Sequence, residues 1–211
     1  MPYRKTVKTE AKKAEMRARL IQAGRDAFAT QGYEAATLQQ IVRQAGTSIG
    51  NCYFYFPDKE ALLEAVAQEI REEIAHAVDV ALASVTDTNL RLALGIAVAL
   101  RSILQNPDVA RITLAVPSAR AATVAYFTER SERRFGELAV PEPAGAPLLV
   151  AHAWQGAIFF IAEAALAGRF VEDAATVTRF LVGWNLQALG LPKTEIRRLL
   201  EQVEAWESTE E

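Results

Sequence analysis

The sequence predicts an all-α fold of about nine to ten helices, and three observations carry that prediction. Ala, Leu, Glu and Arg dominate, and β-branched residues never gather into alternating runs. Apolar residues recur at three- and four-residue spacing through most of the 211 positions. The breaks between these stretches fall at capping residues, glycines or prolines. With 51% hydrophobic and 23% charged residues, the composition is that of a folded globular chain.

Residues 1–10 (MPYRKTVKTE) are polar and basic and read as a disordered arm; phosphate contact is open to Arg4, Lys5 and Lys8, but disorder is the favoured reading. A first helix is expected from Ala11 to Thr30, with Met16, Leu20, Ala23 and Ala27 at helical spacing and Ile21 and Phe28 beside them. Phe28 should pack on Leu38 and Ile41. Thr37 with Gln40 has capping-box spacing and starts a short second helix on Leu38, Ile41, Val42 and Ala45; Gly46 fits the position just past its end. Thr47 or Ser48 caps a third helix, and Asp58 caps a fourth. Two short helices joined by a glycine-containing turn form a helix-turn-helix, whose second helix enters the DNA major groove.

From Asp58 a long helix without Gly or Pro runs to about Val85 on Leu62, Leu63, Val66, Ile70, Ile74 and Val78, a rigid connector between the first quarter of the chain and the remainder. Leu90–Gln105 is a strongly apolar helix, and Asp108–Val116 a short one. A helix over 118–138 has its charged face in TERSERRFGE, and 139–147, with three prolines, is a loop. Leu148–Gly168 is apolar on more than one face and must bury more than one. The helix over 173–190 places Val177, Phe180, Leu181, Trp184 and Ala188 on one side, and Thr194–Trp206 is the last.

Charge divides the chain. Residues 1–59 hold ten Lys/Arg and five Asp/Glu, residues 60–211 thirteen and twenty-one, within a net charge of −3. A polyanion-binding head on an acidic body fits this split, as does a merely solvated basic tail. The lone Cys52 and two distant histidines, His76 and His152, exclude a disulfide framework and offer no metal-ligand cluster, and no cofactor is expected. No phosphate loop, GxSxG or HExxH motif points to an enzyme. No signal segment is visible, and the apolar run 92–100 is too short for a membrane span of about 20 residues. A reducing cytoplasm is the compartment these features suggest.

Gly32-Tyr33, Thr37, Ile41, Ala45-Gly46, Ser48, Gly50, Tyr53, Tyr55-Phe56, Lys59-Glu60 and Leu62 carry a specific pattern. Over roughly residues 14–64 the chain resembles the DNA-binding region of the tetracycline-repressor (TetR) family. The resemblance implies a helix-turn-helix head over 1–57 and an effector-binding, dimerising body over 58–211. It also implies a homodimer on a palindromic double-stranded operator, closed through about 148–190, repressing transcription until a small molecule binds. It places Thr37, Thr47, Ser48, Asn51, Tyr53 and Lys59 against DNA. Asn51 has the chemistry to bond an adenine edge, and Lys59 that to bond a phosphate.

Ile49 departs from the pattern, standing where a basic residue is frequent; it suits a thymine methyl or plain packing. Cys52 reads as a small buried hydrophobe and not a redox sensor, and Phe54 and Phe56 as core. In the body, Leu104, Tyr126, Phe127, Trp154, Phe159 and Phe160 are candidates for an apolar effector pocket. Arg101, His152, Gln155 and Glu163 are candidates for its polar groups. Interhelical hydrogen bonds or the dimer seam are the competing uses for these four, and the favoured one for His152. A helical scaffold without DNA contact is the competing function, and the salt dependence of duplex binding separates the two.

Overall fold

The computed structural model describes residues 7–106, 112–113, 116–137 and 147–209. Among them are nine helices and no strand: α1 Val7–Ala35, α2 Leu38–Gln44, α3 Ile49–Tyr55, α4 Lys59–Leu82, α5 Thr88–Leu104, α6 Pro117–Glu137, α7 Pro147–Leu166, α8 Ala174–Ala188 and α9 Lys193–Thr209. Of the expected short helix at 108–116, the described residues Ile112 and Thr113 are helical, and most of the rest, like the expected loop over 139–146, lies outside the described residues. They fall into two compact units, one within Met1–Ile70 and Arg111–Arg120, the other within Arg71–Ala110 and Ala121–Glu211. The boundary therefore cuts α4 between Ile70 and Arg71.

In the first unit, the head, α1 starts at Val7, so the helix claims the last four residues of the expected arm. Gly32, at φ 78 and ψ 163, interrupts it where the sequence predicts its end. Leu20, Ile21 and Phe28 of α1, Ile41 and Val42 of α2, Cys52 and Phe56, and Leu62, Leu63 and Val66 of α4 are buried. Leu38 stays half-exposed, so it contributes less to Phe28's surroundings than its spacing suggests.

In the second unit, the body, α5 is buried nearly all round through Leu92, Ala93, Leu94, Ile96, Ala97, Val98, Leu100 and Ile103. It is therefore the central helix, packed against α7, α8 and α9. Asp87 starts it two residues earlier than expected, accepting hydrogen bonds from the backbone N–H groups of Asn89 and Leu90 at 2.9 and 3.1 Å.

Two expectations about the later helices need correction. At twenty residues, α7 is by length and composition alone apolar enough to cross a membrane, which a search for unbroken apolar runs overlooks because His152, Gln155 and Glu163 interrupt it. It packs into the body through Ala151, Trp154, Ile158 and Ala162 while leaving Leu149 and Phe160 exposed. The face expected on α8 also splits. Val177 and Leu181 are buried with Val182 and Leu186, whereas Phe180 and Trp184 point outward, Trp184 being 50% exposed.

Candidate nucleic-acid interface and ligand cleft

The head's turn is built from local hydrogen bonds. Thr37 caps α2 by accepting from the Gln40 N–H at 3.3 Å, and the Gln40 side chain accepts from the Thr37 N–H at 3.0 Å, so both halves of the capping box form. Gly46 comes next at φ 64, the left-handed conformation in which a side chain is strained. The Arg19 guanidinium donates to the Ala45 carbonyl beside it, tying α1 to the end of α2. Ser48, not Thr47, caps α3, accepting from the Asn51 N–H at 3.2 Å. Thr47 instead accepts from the Asn51 carboxamide at 2.8 Å. That bond uses one of the amide's two N–H donors and leaves its second N–H and its carbonyl oxygen for another partner.

Helical periodicity decides which side chains α3 presents. Cys52 is its buried residue, and Phe56, which ends the helix in extended conformation, is buried as well. At about 100° per residue, Tyr53 lies a quarter-turn away and Phe54 on the opposite side. Phe54 is thus 67% exposed, with the Lys13 ammonium 5.7 Å from its ring centre, and is not the core residue the sequence suggests. Tyr53 is also exposed, and Ile49 is 38% exposed. Burial pushes the Cys52 thiol pKa up, away from the thiolate.

Lys59 has an intramolecular role. Its ammonium donates to the carbonyls of Tyr33 at 2.7 Å, Ala36 at 3.1 Å and Glu34 at 3.4 Å, and lies 4.3 Å from the Tyr33 ring centre. An ammonium has three donors, and three carbonyls face it. It clamps the chain reversal between α1 and α2 to the start of α4, where Asp58 accepts from the Ala61 N–H at 2.7 Å.

In the body, a narrow cleft of about 50 Å³ runs between α4, α5, α6 and α7. Its apolar wall includes Phe127, Phe135, Trp154 and Phe159; Phe135 meets Trp154 edge-on at 5.1 Å and Phe127 lies 6.1 Å from Phe159. Its polar wall is Arg130, Ser131, Arg134 and Gln155. Gln155, almost fully buried, donates to the Ser131 hydroxyl at 2.6 Å. Nη2 of Arg130 donates to both oxygens of Asp79, at 2.7 and 2.8 Å.

Of the effector candidates, Phe127, Trp154, Gln155 and Phe159 line this cleft. The others do not. Arg101 stacks on the Trp206 ring at 4.5 Å, because at its position α5 faces α9. His152 is exposed, with Nδ1 2.9 Å from the Leu148 carbonyl. Leu104 and Glu163 are half-exposed outside the lining, and Tyr126 sits edge-on to Phe127 at 5.2 Å. Phe160 points outward.

Sequence reasoning misses Arg130, Ser131, Arg134 and Phe135 because TERSERRFGE reads as a solvated face. Their spacing from Phe127, three, four, seven and eight residues, is the stripe that could have found them. Among the described residues, no group of three His, Cys, Asp or Glu is placed to hold a metal ion.

Residues 20–66 match the family model described as bacterial regulatory proteins, tetR family. Over 59 residues the chain is 44% identical to the HTH-type transcriptional regulator SrpR of Pseudomonas putida, a match covering 28% of each protein. Over 62 residues it is 44% identical to the HTH-type transcriptional regulator BetI of Klebsiella pneumoniae, covering 29% of this chain and 32% of that one. The matches therefore span about a third or less of these relatives' length. The fold is similar over far more. RolR in complex with resorcinol superposes with a TM-score of 0.71 at 23% identity over 90% of this chain and 95% of its own. SmeT, the repressor of the Stenotrophomonas maltophilia multidrug efflux pump SmeDEF, does so at 0.66 and 18% identity over 82% and 89%. At such identities the likeness is one of fold.

Proposed function

We propose that this chain, a TetR-family regulator by its head and its fold, binds a palindromic DNA operator as a homodimer, represses transcription there, and releases it when a small, largely apolar effector enters the body's cleft. The observation that carries this reading is α3. Its N-cap is set by Ser48, its amide Asn51 is oriented by Thr47, and Ile49 and Tyr53 stand exposed on a helix short enough to enter a major groove. In this reading Asn51 and Ile49 meet base edges. Thr37, Thr47, Ser48 and Tyr53 meet the backbone, and Lys59 positions the head from within.

The exposed apolar side chains of α7 and α8, Leu149, Phe160, Phe180 and Trp184, supply the dimer face. An obligate interface of this kind buries more than about 2,000 Å². RolR is solved in complex with resorcinol, an aromatic molecule, and the aromatic wall of this cleft supports an apolar effector here. Communication runs through α4, which begins in the head at Lys59 and lines the cleft with Ile74, Ala75 and Val78. A coupling of about 1–3 kcal/mol is enough to change operator occupancy. The work is binding rather than catalysis, and it is done in the cytoplasm, where the DNA is.

Selection of bound duplexes from a random pool with the full-length protein tests the reading. The expected product is an inverted repeat whose affinity falls steeply with salt, with a log–log slope of about −0.9 per phosphate neutralised. Recovery of no duplex, or a flat salt response, would leave the chain as a helical scaffold.

A further inference from the structure

Resting on the reading of α3 as the helix that enters the major groove, we infer that the base pairs it reads are A·T pairs, with Ile49 seated on a thymine methyl and Asn51 bonded to an adenine edge. The sequence of α3, IGNCYFY, holds no arginine or lysine to fork onto guanine O6 and N7, and no carboxylate to accept from cytosine N4. Ile49 is exposed, and its side chain has neither donor nor acceptor. A base nitrogen or oxygen covered by it would lose its water and gain no hydrogen bond in return. The apolar group that the major groove does offer is the thymine C5 methyl. Asn51 supplies the complementary chemistry. With one amide N–H held by Thr47, it keeps a second N–H and its carbonyl oxygen, the partners of adenine N7 and N6–H.

A second observation concerns Gly50. At about 100° per residue, Ile49 and Asn51 flank it on the side of α3 that faces away from Cys52, and Gly50 is itself exposed. Glycine is a costly residue in a helix, and nothing inside the head calls for it here. Its φ lies outside the left-handed region, and beyond its own stretch of helix nothing among the described residues comes within 4 Å of where a Cβ would stand. The bare Cα therefore leaves a notch in the exposed face, through which a partner can approach the backbone closely. Long basic side chains reach phosphates without such an approach. Side chains as short as Ile49 and Asn51 need it to touch base edges on the groove floor.

The probe is the inverted repeat that the full-length protein selects from a random pool, resynthesised with one base changed at the same position of both half-sites. Deoxyuridine for thymidine removes the methyl alone, and 7-deazaadenine for adenine removes N7 alone. At one thymine position, deoxyuridine should weaken binding about fivefold or more. Ile49→Ala should shrink that penalty to less than about twofold, and Ile49→Val should keep part of it. At one adenine position, 7-deazaadenine should weaken binding by a similar factor, and Asn51→Ala should remove the penalty. Gly50→Ala should weaken the operator and spare an unrelated duplex, with the thermal midpoint unchanged or higher, since alanine is the better helix former. Replacements without effect at every position, or penalties that survive Ile49→Ala and Asn51→Ala, would overturn the A·T assignment while leaving the chain a DNA-binding regulator. An operator bound undiminished by Gly50→Ala would remove the close approach on which both contacts depend. Recovery of no duplex would overturn this inference and the DNA-binding reading together.

Discussion

The head and the body are made of the same material, amphipathic helices rich in Ala, Leu, Glu and Arg, yet they prepare their surfaces in opposite ways. In the head, the groups offered to a partner stand outside, and hydrogen bonds between residues three or four apart hold them: Thr37 with Gln40, Ser48 with Asn51, Thr47 with Asn51. In the body, the polar groups are assembled across distance, some buried and some near the surface. Ser131 meets Gln155 from twenty-four positions away, and Arg130 meets Asp79 from fifty-one. A surface that must fit DNA can be specified by turns and caps. An enclosure for a small molecule needs several helices, each contributing one side.

The largest expected effect tests whether the two units are separate in energy as well as in contact. Phe135 is buried against Trp154 on the cleft wall. Phe135→Ala should destabilise the body by about 3–5 kcal/mol, the usual cost of truncating a core phenylalanine. Hydrogen exchange should then show lost protection in α5 to α9 with the amides of α1 and α2 little changed. Parallel loss in α1 and α2 would make head and body one cooperative unit and undo the contrast.

Next comes Lys59→Ala, which separates a clamp from a phosphate contact. Removing hydrogen bonds from a charged group typically costs about 1.5–3 kcal/mol. If the three carbonyls define its role, the head's thermal midpoint falls and the salt slope of duplex binding stays as it was. An unmoved midpoint with a slope lower by about 0.9 would return Lys59 to the DNA backbone. Thr37→Ala should cost less, about 1 kcal/mol of head stability by loss of the cap, measurable by urea denaturation.

The same contrast explains how much of the molecule is legible in its sequence. Caps and turns are written in consecutive residues, so the box at Thr37 and Gln40, the left-handed Gly46 and the start of α4 after Asp58 can be read directly. Phe54 misleads because its apolarity suggests burial, while the angle from Cys52 turns it outward. In the body, aromatic content reveals Phe127, Trp154 and Phe159, since a wall of this kind is where such side chains collect. It does not reveal that Arg101 faces Trp206 while Arg134 faces Gly95, because those partners are fixed by how α5 packs against its neighbours. A charged run is solvated on one face and can line a cleft on the other.

The smallest effect probes a contact that reaches the start of α5 from far along the chain. Arg198 of α9 donates to Asp87 at 2.8 Å and to Glu195 at 2.9 Å, all near the surface. The Arg198 bond is the main cause holding the Asp87 carboxyl below its usual pKa, followed by the Leu90 N–H; Glu195 is lowered chiefly by Arg198 as well. A carboxylate whose folded pKa is depressed stabilises the fold above its unfolded value, about 3.9 for Asp, and loses that contribution as pH falls through the folded value. Arg198→Ala should therefore lower the urea midpoint slightly at pH 7 and pH 5, with the gap closing below about pH 4 and narrowing in high salt. The Asp87 cap on Asn89 and Leu90 survives the substitution, which is why the loss should be smaller than that of Thr37→Ala. A gap that persists undiminished at about pH 3 would mean that Arg198 acts through packing of its aliphatic stem, making the join between α5 and α9 a matter of distant burial like the rest of the body.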